Sequence, residues 1–460
     1  MGDNDEYDVI VIGGGPAGEN IAQYAVQGSD RTAVMVEAEL LGGECSYYAC
    51  MPSKAMLRPL DVRSAAAHVG GLTGVPEVDV EGLLKRRDTW VSHYSDHGQV
   101  SWAEGAGLAV VRGRGRLAAE RTVTVGGRTL TAREAVVIAT GSVAVIPPTL
   151  ADIAAWTSRD ATGVRDVPDH LVIVGGGVVA CEAARWMRGL GAQVTMLVRG
   201  QGLLASFEPF AGSLVLDALR ADGVDVRLDV EVTDAHRTAA EDTGLGRIHG
   251  GPVRLTLASG VEIEASEVLV ATGRRPATDD LGLETVGLTA DDLAAGDSLP
   301  GWLHTVGDVN GEAPLTHWGK YQARIVGARI AARSSHGTQP TVPDFVPVPQ
   351  VVFTDPQVAS VGLTARQAKE AGRSFHTLDQ PLKGATGAAL LRDDLAGEVR
   401  LVVDDETDTL LGATFVGPEV ADLVHSATVA IVGQVPLAVL RHAVPSYPTS
   451  SEIWLRLLEG

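Results

Sequence analysis

A glycine-rich turn between a strand and a helix is the feature that most constrains how this chain can fold. Residues 7–12 form a short apolar run of the kind found in buried parallel strands. The pattern G-x-G-x-x-G follows, with its glycines at Gly13, Gly15 and Gly18. A helical stretch comes next, and a second apolar run ends in Glu37, an acid close to the spacing expected for a ribose contact. This segment therefore predicts a dinucleotide-binding βαβ unit.

A second unit of the same kind begins at His170. An apolar run leads into the turn residues Gly175, Gly177 and Ala180, where alanine is an accepted replacement for the third glycine. A helical stretch and another apolar strand follow, and that strand ends at Arg199. This internal repetition predicts two bound dinucleotides, one for each Rossmann-like domain.

A pair of cysteines, Cys45 and Cys50, lies in residues 42–55, which read GGECSYYACMPSKA. Pro52 suits the first turn of a helix, which would place Cys50 at or near a helix N-terminus. The partial positive charge there favours a thiolate. The two glycines before Cys45 allow a flat ligand to approach the backbone closely. The alternative, two unrelated buried cysteines in a loop, is disfavoured by the dinucleotide units around the pair.

The cysteine segment resembles the redox-active disulfide of the flavoprotein pyridine nucleotide-disulfide oxidoreductases. That family includes dihydrolipoamide dehydrogenase, glutathione and mycothione reductases, and mercuric reductase. Its pattern GGTCxNxGCxPSK is matched at both cysteines, both leading glycines, the proline, the serine and the lysine, while Glu44 replaces the threonine. The resemblance extends over residues 7–452. It implies an α/β fold with two Rossmann-like nucleotide-binding domains, for FAD and NAD(P)H, plus an α+β C-terminal dimerisation domain.

The domain bounds implied by the resemblance are residues 1–150 and 275–340 for the FAD-binding domain and 151–274 for the NAD(P)H-binding domain. A proline-rich linker at 343–349 leads into the dimerisation domain, residues 341–460. Within the FAD-binding domain, residues 110–115 and 121–125 are expected to be strands of a small meander.

The resemblance assigns the first glycine-rich unit to FAD. Asp308, in the motif HTVGDV, would hold the ribityl hydroxyls. The helix that begins near residue 314 would direct its N-terminus at the flavin, where its dipole stabilises negative charge. The residues implied for FAD binding are Gly13, Gly15, Gly18, Glu37, Gly43, Lys54, Gly115, Thr140, Gly141, Ser142, Asp308, Leu315, Thr316 and His317.

The second unit would bind the nicotinamide cofactor. Glu182 matches the family glutamate that pairs with a lysine, here Lys54, and keeps it charged and oriented. Arg199 stands where NADH users of the family carry an acid, and an arginine suits the 2′-phosphate of NADPH. A second arginine common in NADPH enzymes is Ala205 here, and Arg199 could be solvated, so NADPH is favoured while NADH stays open. The residues implied for this site are Gly175, Gly177, Ala180, Glu182, Arg199 and Gly273.

One departure from the family pattern bears on the substrate. Disulfide reductases of the family end in His-Pro-Thr-x-x-Glu, where the histidine, delivered by the other subunit, shuttles protons. Here the stretch runs from Tyr447 to Glu452, and a phenol with a pKa of about 10 is a poor proton shuttle at neutral pH. Mercuric reductases carry a tyrosine near this place but add a C-terminal cysteine pair, which the final residues LRLLEG lack. His442, five residues upstream of the tyrosine, could substitute for the histidine.

The resemblance thus implies a homodimeric FAD enzyme that passes a hydride from NAD(P)H to flavin and electrons onward to a Cys45–Cys50 disulfide. Cys50 would be the charge-transfer thiolate facing the flavin, and Cys45 the interchange thiol that attacks substrate. The acceptor is a small disulfide or, given the tyrosine, a quinone or metal ion. A redox-sensing flavin-binding module without turnover is a third possibility, which the intact cysteine pair, Lys54 and Glu182 disfavour. The predicted catalytic residues are Cys45, Cys50, Lys54, Glu182, Tyr447 and Glu452.

Bulk properties exclude several other classes. The 460 residues carry a formal charge of −21, which argues against nucleic acid as a partner, and three cysteines exclude a secreted disulfide scaffold. The acidic start of the chain is no signal peptide, and no apolar run reaches the length of a membrane span. A cytoplasmic enzyme is expected. His93 and His97 could share a helix face, but no third ligand is suitably spaced, so no metal site is predicted.

Overall fold

A computed structural model of the protein describes residues 5–295, 299–335, 340–343 and 345–459. These residues form two compact units. The first unit comprises Met1–Pro52, Asp88–Val145 and Arg274–Val342, and the second comprises Ser53–Arg87, Ile146–Gly273 and Pro343–Gly460, apart from the residues outside the described ranges. The predicted linker at 343–349 includes Asp344, which lies outside those ranges.

The strands of the first unit are β1 (Glu6–Ile12), β2 (Ala33–Glu37), β3 (Ala109–Arg112), β4 (Arg116–Ala119), β5 (Thr122–Val125), β6 (Arg128–Ile138), β7 (Ser142–Ala144), β15 (Arg274–Pro276) and β16 (Leu303–Thr305). Those of the second are β8 (His170–Val174), β9 (Gln193–Val198), β10 (Asp225–Leu228), β11 (Val232–Arg237), β12 (Val253–Leu257), β13 (Glu262–Ala265), β14 (Glu267–Val270), β17 (Gln350–Val352), β18 (Gln357–Gly362), β19 (Phe375–Pro381), β20 (Glu398–Asp404) and β21 (Leu410–Gly417).

The α-helices are α1 (Pro16–Val26), α2 (Gly43–Tyr47), α3 (Cys50–Ala67), α4 (Val80–Trp90), α5 (His97–Gly105), α6 (Ser158–Thr162), α7 (Val178–Gly189), α8 (Pro209–Ala221), α9 (Ala290–Ala295), α10 (Thr316–Ser335), α11 (Ala365–Glu370), α12 (Thr386–Ala389), α13 (Leu423–Val432), α14 (Leu437–Leu440) and α15 (Ile453–Leu458). Short 3₁₀ turns lie at Ser92–Tyr94, Pro148–Ile153, Leu283–Val286, Asp308–Asn310, Leu382–Gly384 and Ser450–Glu452.

The main sheet of the first unit runs β3-β2-β1-β6-β5-β4, with β16 added beside β6. Strands β3, β2, β1 and β6 are parallel, and Val9 to Val11 of β1 are fully buried, as expected where both faces of a parallel sheet are covered. Helices α1 and α10 pack so closely that a Cβ on Gly327 would lie 2.6 Å from the Cβ of Tyr24. The sheet therefore presents the ends of β1 and β2 to the glycine-rich turn.

The predicted meander is wrong at its first strand. Strand β3 pairs parallel with β2 and forms the edge of the main sheet, whereas the antiparallel meander consists of β4, β5 and β6. A short apolar run does not encode its pairing partner, so the sequence pattern could not separate an edge strand from a meander strand.

The second unit contains three separate sheets. The parallel sheet β10-β9-β8-β14 carries the second glycine-rich turn, and the antiparallel sheet β11-β12-β13 follows it in the chain. The antiparallel sheet β17-β18-β21-β20-β19 forms the C-terminal part, where Phe415 and Trp454 are core residues. Among the described residues, no helix is both long and apolar enough to cross a lipid bilayer.

Candidate active site

The first glycine-rich turn has a backbone that only glycine can adopt. Gly13 has a φ of +105°, and a Cβ there would lie 2.3 Å from the carbonyl oxygen of Ala139. Its N–H donates to the carbonyl of Val36 over 2.8 Å, which fixes the turn against β2. Helix α1 begins at Pro16 without a side-chain cap on its N-terminus, so its first N–H groups face outward as an anion site.

Glu37, at the end of β2, is held in place by two backbone groups. Its Oε2 accepts a hydrogen bond from the N–H of Gly14 over 2.7 Å, and its Oε1 accepts one from Glu39 over 2.7 Å. A carboxylate has about four lone-pair positions, so acceptor capacity remains for a ribose hydroxyl. The geometry fits the sugar contact predicted for this residue.

The cysteine segment approaches this turn within the first unit. Gly43 has a φ of +55°, and a Cβ at this position would lie 2.7 Å from the Cα of Gly15. This close contact places the short helix α2, with Cys45, against the glycine-rich turn. Helix α3 begins at Cys50, so that thiol lies at the positive end of a helix dipole.

Both cysteines of the pair are free thiols in this structure. A hydrogen bond with Cys50 and then burial raise the pKa of the Cys45 thiol, while Thr316 and Lys320 act in the opposite direction. The Sγ of Cys50 lies 3.5 Å from the Oγ1 of Thr316. The Cys45 thiol therefore holds its proton more strongly than an ordinary cysteine does.

A chain of hydrogen bonds holds Asp308 in the first unit. Its Oδ2 accepts a hydrogen bond from the Oγ of Ser142 over 2.6 Å. Arg274 donates from Nε to the same Oγ over 2.8 Å and from Nη2 to the backbone carbonyl of Ser142 over 2.6 Å, and it lies 3.9 Å from Glu44. The sequence interpretation missed Arg274, although it directly follows the small-residue turn that ends at Gly273.

The other residues predicted for FAD lie in both units, with Lys54 in the second. The Oγ1 of Thr140 donates to the carbonyl of Ala277 over 2.7 Å. A Cβ on Gly115 would lie 3.0 Å from Val36. Helix α10 begins at Thr316, directly after Leu315, and His317 is exposed in its first turn. Gly141 has a φ of +75°, and the remaining positions of this set, Gly18 and Lys54, lie in helices α1 and α3.

These residues fit FAD. The uncapped N-terminus of α1 suits a pyrophosphate, Glu37 suits a ribose, and Asp308 suits hydroxyl groups. Each of these features belongs to the first unit.

A buried ion pair stands out in the second unit. The Nζ of Lys54 lies 2.6 Å from the Oε2 of Glu182, whose side chain is 6% exposed. The Oε1 of Glu182 accepts a hydrogen bond from the N–H of Phe353 over 2.9 Å, and the lysine ammonium lies 4.3 Å from the centre of the Phe353 ring. The ion pair and the ring hold the Lys54 side chain in one orientation. The sequence predicted the pair and missed Phe353, for which no motif gave a signal.

The second glycine-rich turn repeats the geometry of the first. Gly175 has a φ of +140°, and a Cβ there would lie 2.3 Å from the carbonyl oxygen of Ala271. Gly177 precedes α7, which has no side-chain cap, and Ala180 is fully buried. Arg199 is exposed after β9 and makes no hydrogen bond or ion pair with any residue that the structure describes. Gly273 follows β14 with a φ of +143°.

The C-terminal residues differ strongly in exposure. The side chain of Glu452 is buried, and its Oε2 accepts a hydrogen bond from the N–H of Gly387 over 3.2 Å. Tyr447 is 74% exposed, and His442 is exposed as well. Glu452 is therefore fixed within its own chain, while the phenol of Tyr447 is open to solvent.

His93 and His97, which could have shared a helix face, lie in different elements. His93 lies in the turn Ser92–Tyr94, where all three residues have positive φ, and His97 is the first residue of α5. A left-handed turn of non-glycine residues leaves no sequence signature, which is why periodicity suggested a helix. Within the described ranges, no group of three or more potential metal ligands is found.

Comparison with known proteins places the chain in a family. The pyridine nucleotide-disulphide oxidoreductase domain matches residues 7–298, and the dimerisation domain of the same family matches residues 348–457. The chain therefore belongs to the pyridine nucleotide-disulphide oxidoreductases, as the motifs predicted. Members of the family are FAD-dependent oxidoreductases with NAD(P)H as electron donor, so this chain is a flavoprotein oxidoreductase.

Curated relatives cover nearly all of this chain. It is 30% identical to the mercuric reductase of Bacillus cereus over 98% of its own length and 70% of that protein. It is 31% identical to dihydrolipoyl dehydrogenase 3 of Pseudomonas aeruginosa over 97% of its own length and 96% of that protein.

Solved structures share the fold. The HOCl-induced flavoprotein disulfide reductase RclA from Escherichia coli, as its Cu(II) complex, aligns with a TM-score of 0.82 at 21% identity over 99% of both chains. LpdA from Mycobacterium tuberculosis aligns with a TM-score of 0.81 at 23% identity, covering 98% of this chain and 99% of that one. The predicted α/β fold with a C-terminal dimerisation domain is confirmed.

Proposed function

We propose that this enzyme uses electrons from NAD(P)H to reduce a small disulfide substrate at the Cys45–Cys50 pair. One observation carries the proposal. The two thiols are hydrogen-bonded to each other, and Cys50 lies both at the start of α3 and beside Thr316 of α10. A thiol with a stabilised thiolate partner is the arrangement that disulfide exchange requires.

Bound FAD supplies the electron transfer from NAD(P)H to the cysteine pair. In the exchange itself, Cys45 gives up its proton as its sulfur attacks one sulfur of the substrate, and the S–S bond breaks to release a first thiolate. The Cys50 thiolate then attacks the Cys45 sulfur of the mixed disulfide, which releases a second thiolate and re-forms the Cys45–Cys50 disulfide. Each released thiolate takes up one proton, so the substrate is reduced to two thiols.

Several residues that the structure holds in position support this proposal. Glu37 and Asp308 would bind the ribose and ribityl hydroxyls. Lys54 and Glu182, fixed by Phe353, supply a charged group of defined orientation. Arg199, exposed at the end of β9, favours NADPH over NADH by the charge it offers to a 2′-phosphate.

Tyr447 stands in the place of the family histidine. Its exposed phenol is a poor proton donor at neutral pH, and Glu452 is bound to its own chain through Gly387. Protons for the released thiolates would therefore come from water, from His442 or from groups near the dithiol, which makes turnover of disulfides slow.

A soft metal ion is the second candidate substrate. A relative that aligns over 98% of this chain is a mercuric reductase, and a pair of adjacent thiols binds soft metal ions well. A quinone is a further acceptor that bypasses thiol protonation. The candidate acceptors can be distinguished because reduction of a disulfide or a metal ion needs both cysteines, whereas reduction of a quinone does not.

The assembly and location that we infer are a homodimer in the cytoplasm. A dimerisation domain spans residues 348–457, and free cysteines suit a reducing compartment. The division into FAD-binding, NAD(P)H-binding and dimerisation domains, with the bounds given above, is part of the same proposal. Nucleic acid is not expected as a partner because of the charge of −21.

An acceptor screen tests the proposal. NADPH oxidation by the FAD-loaded enzyme is followed with low-molecular-weight disulfides, Hg(II), Cu(II) and quinones, in the natural protein and in Cys45→Ser and Cys50→Ser. Turnover of a disulfide that disappears in both variants supports the first candidate, and the same pattern with a metal ion alone supports the second. Quinone turnover that survives both substitutions, with no disulfide or metal turnover, would reject the dithiol mechanism.

Tyr447→His sharpens the assignment of the proton donor. Because positioned general acids typically contribute 10²–10⁴-fold, the variant should reduce disulfides about 10-fold faster or more while quinone turnover stays unchanged. Rapid disulfide turnover by the natural protein, combined with no gain in the variant, would mean that another group already supplies the proton.

A further inference from the structure

The turn that carries Asp308 is fixed by one side chain of helix α10. The residue before Asp308, Gly307, is buried and has a φ of +78°. Its N–H donates to the Oε1 of Gln322 over 2.8 Å. A buried N–H without an acceptor is costly, and here the acceptor is the side chain of a residue 15 positions further along the chain. The position of the turn therefore depends on where the Gln322 amide is held.

A carboxylate decides which end of that amide faces the turn. The Nε2 of Gln322 donates to the Oε2 of Glu312 over 2.8 Å. A carboxylate only accepts and a backbone N–H only donates, so the amide oxygen has to face Gly307 and the amide nitrogen Glu312. Gln322 is 9% exposed, so water competes little for these two hydrogen bonds.

The Glu312 carboxylate is itself held by a further side chain. Its Oε2 also accepts a hydrogen bond from the Nε1 of Trp318 over 3.1 Å, and the Trp318 ring stacks on that of Tyr321 with ring centres 5.1 Å apart. The backbone N–H of Glu312 donates over 3.2 Å to the Oδ1 of Asn310, the last residue of the 3₁₀ turn that begins at Asp308. These contacts join both ends of the turn to α10.

The same turn packs against the helix that follows the first glycine-rich turn. A Cβ added to Gly307 would lie 3.1 Å from the Cβ of Ala17, the second residue of α1. A Cβ added to Gly319, one helical turn before Gln322, would lie 3.2 Å from both that atom and the Cα of Gly307. The turn is therefore held between the start of α1 and α10. The start of α1 and Asp308 are the two places proposed above for the pyrophosphate and the ribityl chain of FAD.

We propose that Gln322 and Glu312 are positioning residues for FAD. The Glu312 carboxylate orients the Gln322 amide, and the amide holds the Asp308 turn in place relative to the start of α1. Both residues act through the turn, so their loss would weaken the ribityl contact and leave the pyrophosphate contact intact. This inference rests on the proposed contact between Asp308 and the ribityl hydroxyls.

The rate of FAD release from the loaded, full-length enzyme tests this role. The enzyme is diluted at pH 8, and release is followed by the rise in flavin fluorescence. Gln322→Leu leaves the buried N–H of Gly307 without its acceptor, so release should be roughly 10- to 100-fold faster. Glu312→Ala removes the group that orients the amide but keeps the amide itself, so release should be roughly fivefold faster.

An exchange of the two side chains separates this role from a general loss of packing. Gln322→Glu brings a second carboxylate to the place where the amide nitrogen lies 2.8 Å from Glu312, and their repulsion should accelerate release. Adding Glu312→Gln exchanges the amide and the carboxylate. The carboxylate at position 322 then accepts from Gly307, and the amide at position 312 donates to it. The double variant should therefore release FAD within about twofold of the natural rate.

Gln357→Leu is the matched control. The Oε1 of Gln357 also accepts a backbone N–H, that of Ala421 over 3.3 Å, but both residues belong to the second unit. FAD release from this variant should occur at the natural rate. If it were accelerated as much as release from Gln322→Leu, the effect would be a general loss of a side-chain hydrogen bond, and the inference would be overturned.

Two further outcomes would contradict the positioning role. One is a natural rate of FAD release in Gln322→Leu, and the other is a double variant as fast as Gln322→Glu. The second comparison uses side chains of the same size, so it decides the matter even if Gln322→Leu fails to fold.

Asp308→Ala distinguishes this inference from the proposed function on which it rests. If Asp308 does not contact FAD, this variant releases FAD at the natural rate, whatever the rate in Gln322→Leu. If the contact exists and the positioning role does not, only Asp308→Ala is fast.

Discussion

The two glycine-rich turns of this protein have the same backbone and different chemistry. In each, the first glycine has positive φ and faces a carbonyl oxygen 2.3 Å from where its Cβ would be, at Ala139 in one turn and Ala271 in the other. The strand that follows ends in Glu37 in the first turn and in Arg199 in the second, at equivalent positions. The backbone geometry is thus the same in both turns, and under the proposed function Glu37 and Arg199 would decide which dinucleotide each turn binds.

The largest expected effect comes from substituting the first glycine of one turn at a time. Gly13→Ala forces an L side chain into positive φ and against the Ala139 carbonyl, at a cost of about 3 kcal/mol or more. We expect FAD affinity to fall at least about 100-fold, read from flavin absorbance of the purified protein.

Gly175→Ala should have the opposite selectivity, with FAD retained and NAD(P)H binding lost. Gly98→Ala is the matched control, since a Cβ there has no atom within 4 Å. Loss of FAD in Gly175→Ala at unchanged stability would show that the two turns do not act separately.

The next effect concerns the equivalent positions Glu19 and Cys181. The folded protein holds the Glu19 proton up to a pKa of about 7, whereas the unfolded chain releases it near 4.5. The folded state therefore binds more protons between these values, and its free energy of unfolding falls as the pH rises from 4.5 to 7. The loss is about 2–3 kcal/mol. Urea unfolding measures the free energy of unfolding at pH 5 and pH 8. The decrease caused by Glu19 should be absent in Glu19→Gln.

Cys181 gives the contrasting case. Burial raises the pKa of its thiol to about 12, so it stays protonated over the same pH range. Cys181→Ala should therefore leave the pH dependence of stability unchanged. The prediction would be contradicted if the free energy of unfolding changed between pH 5 and pH 8 by the same amount in the natural protein and in Glu19→Gln.

A smaller effect tests Arg199, which follows the second turn at the end of the next strand. Arg199→Glu removes a charge-assisted contact to the 2′-phosphate and adds repulsion, so the KM for NADPH should rise roughly 10- to 100-fold relative to that for NADH. Arg254→Glu, at an exposed position of β12 in the same unit, is the control. An unchanged ratio would place cofactor choice elsewhere.

The smallest effect tests Glu37, which follows the first turn at the end of the next strand. Glu37→Gln keeps an acceptor for the Gly14 N–H but removes the negative charge from the predicted ribose contact. FAD affinity should fall by about 1 kcal/mol, roughly fivefold, in a titration of the cofactor-free protein. Glu39→Gln, which removes the charge of an exposed neighbouring carboxyl, should bind FAD normally, and an equal loss in both variants would refute the contact.

Local signals account for the parts that were predictable. The glycine-rich turns, the cysteine pair and the Lys54–Glu182 pairing are read from short motifs, because each requires particular residue types at fixed spacing. The pairing of β3 and the left-handed turn at Ser92–Tyr94 were not predictable. Neither a strand's partner nor a positive φ in a non-glycine residue is encoded in hydrophobic periodicity.

The sequence by itself determined the family, and it predicted two nucleotide sites and a pair of redox cysteines, since glycine geometry and thiol spacing are local requirements. Only the tertiary structure showed that Arg274 fixes Ser142 beside Asp308, that Phe353 holds the Lys54–Glu182 pair, and that the Glu19 carboxyl has a buried oxygen with no hydrogen-bond partner among the described residues. These contacts join residues far apart in the chain. Burial and the charge of distant neighbours, which set how readily a group ionises, exist only after the chain has folded.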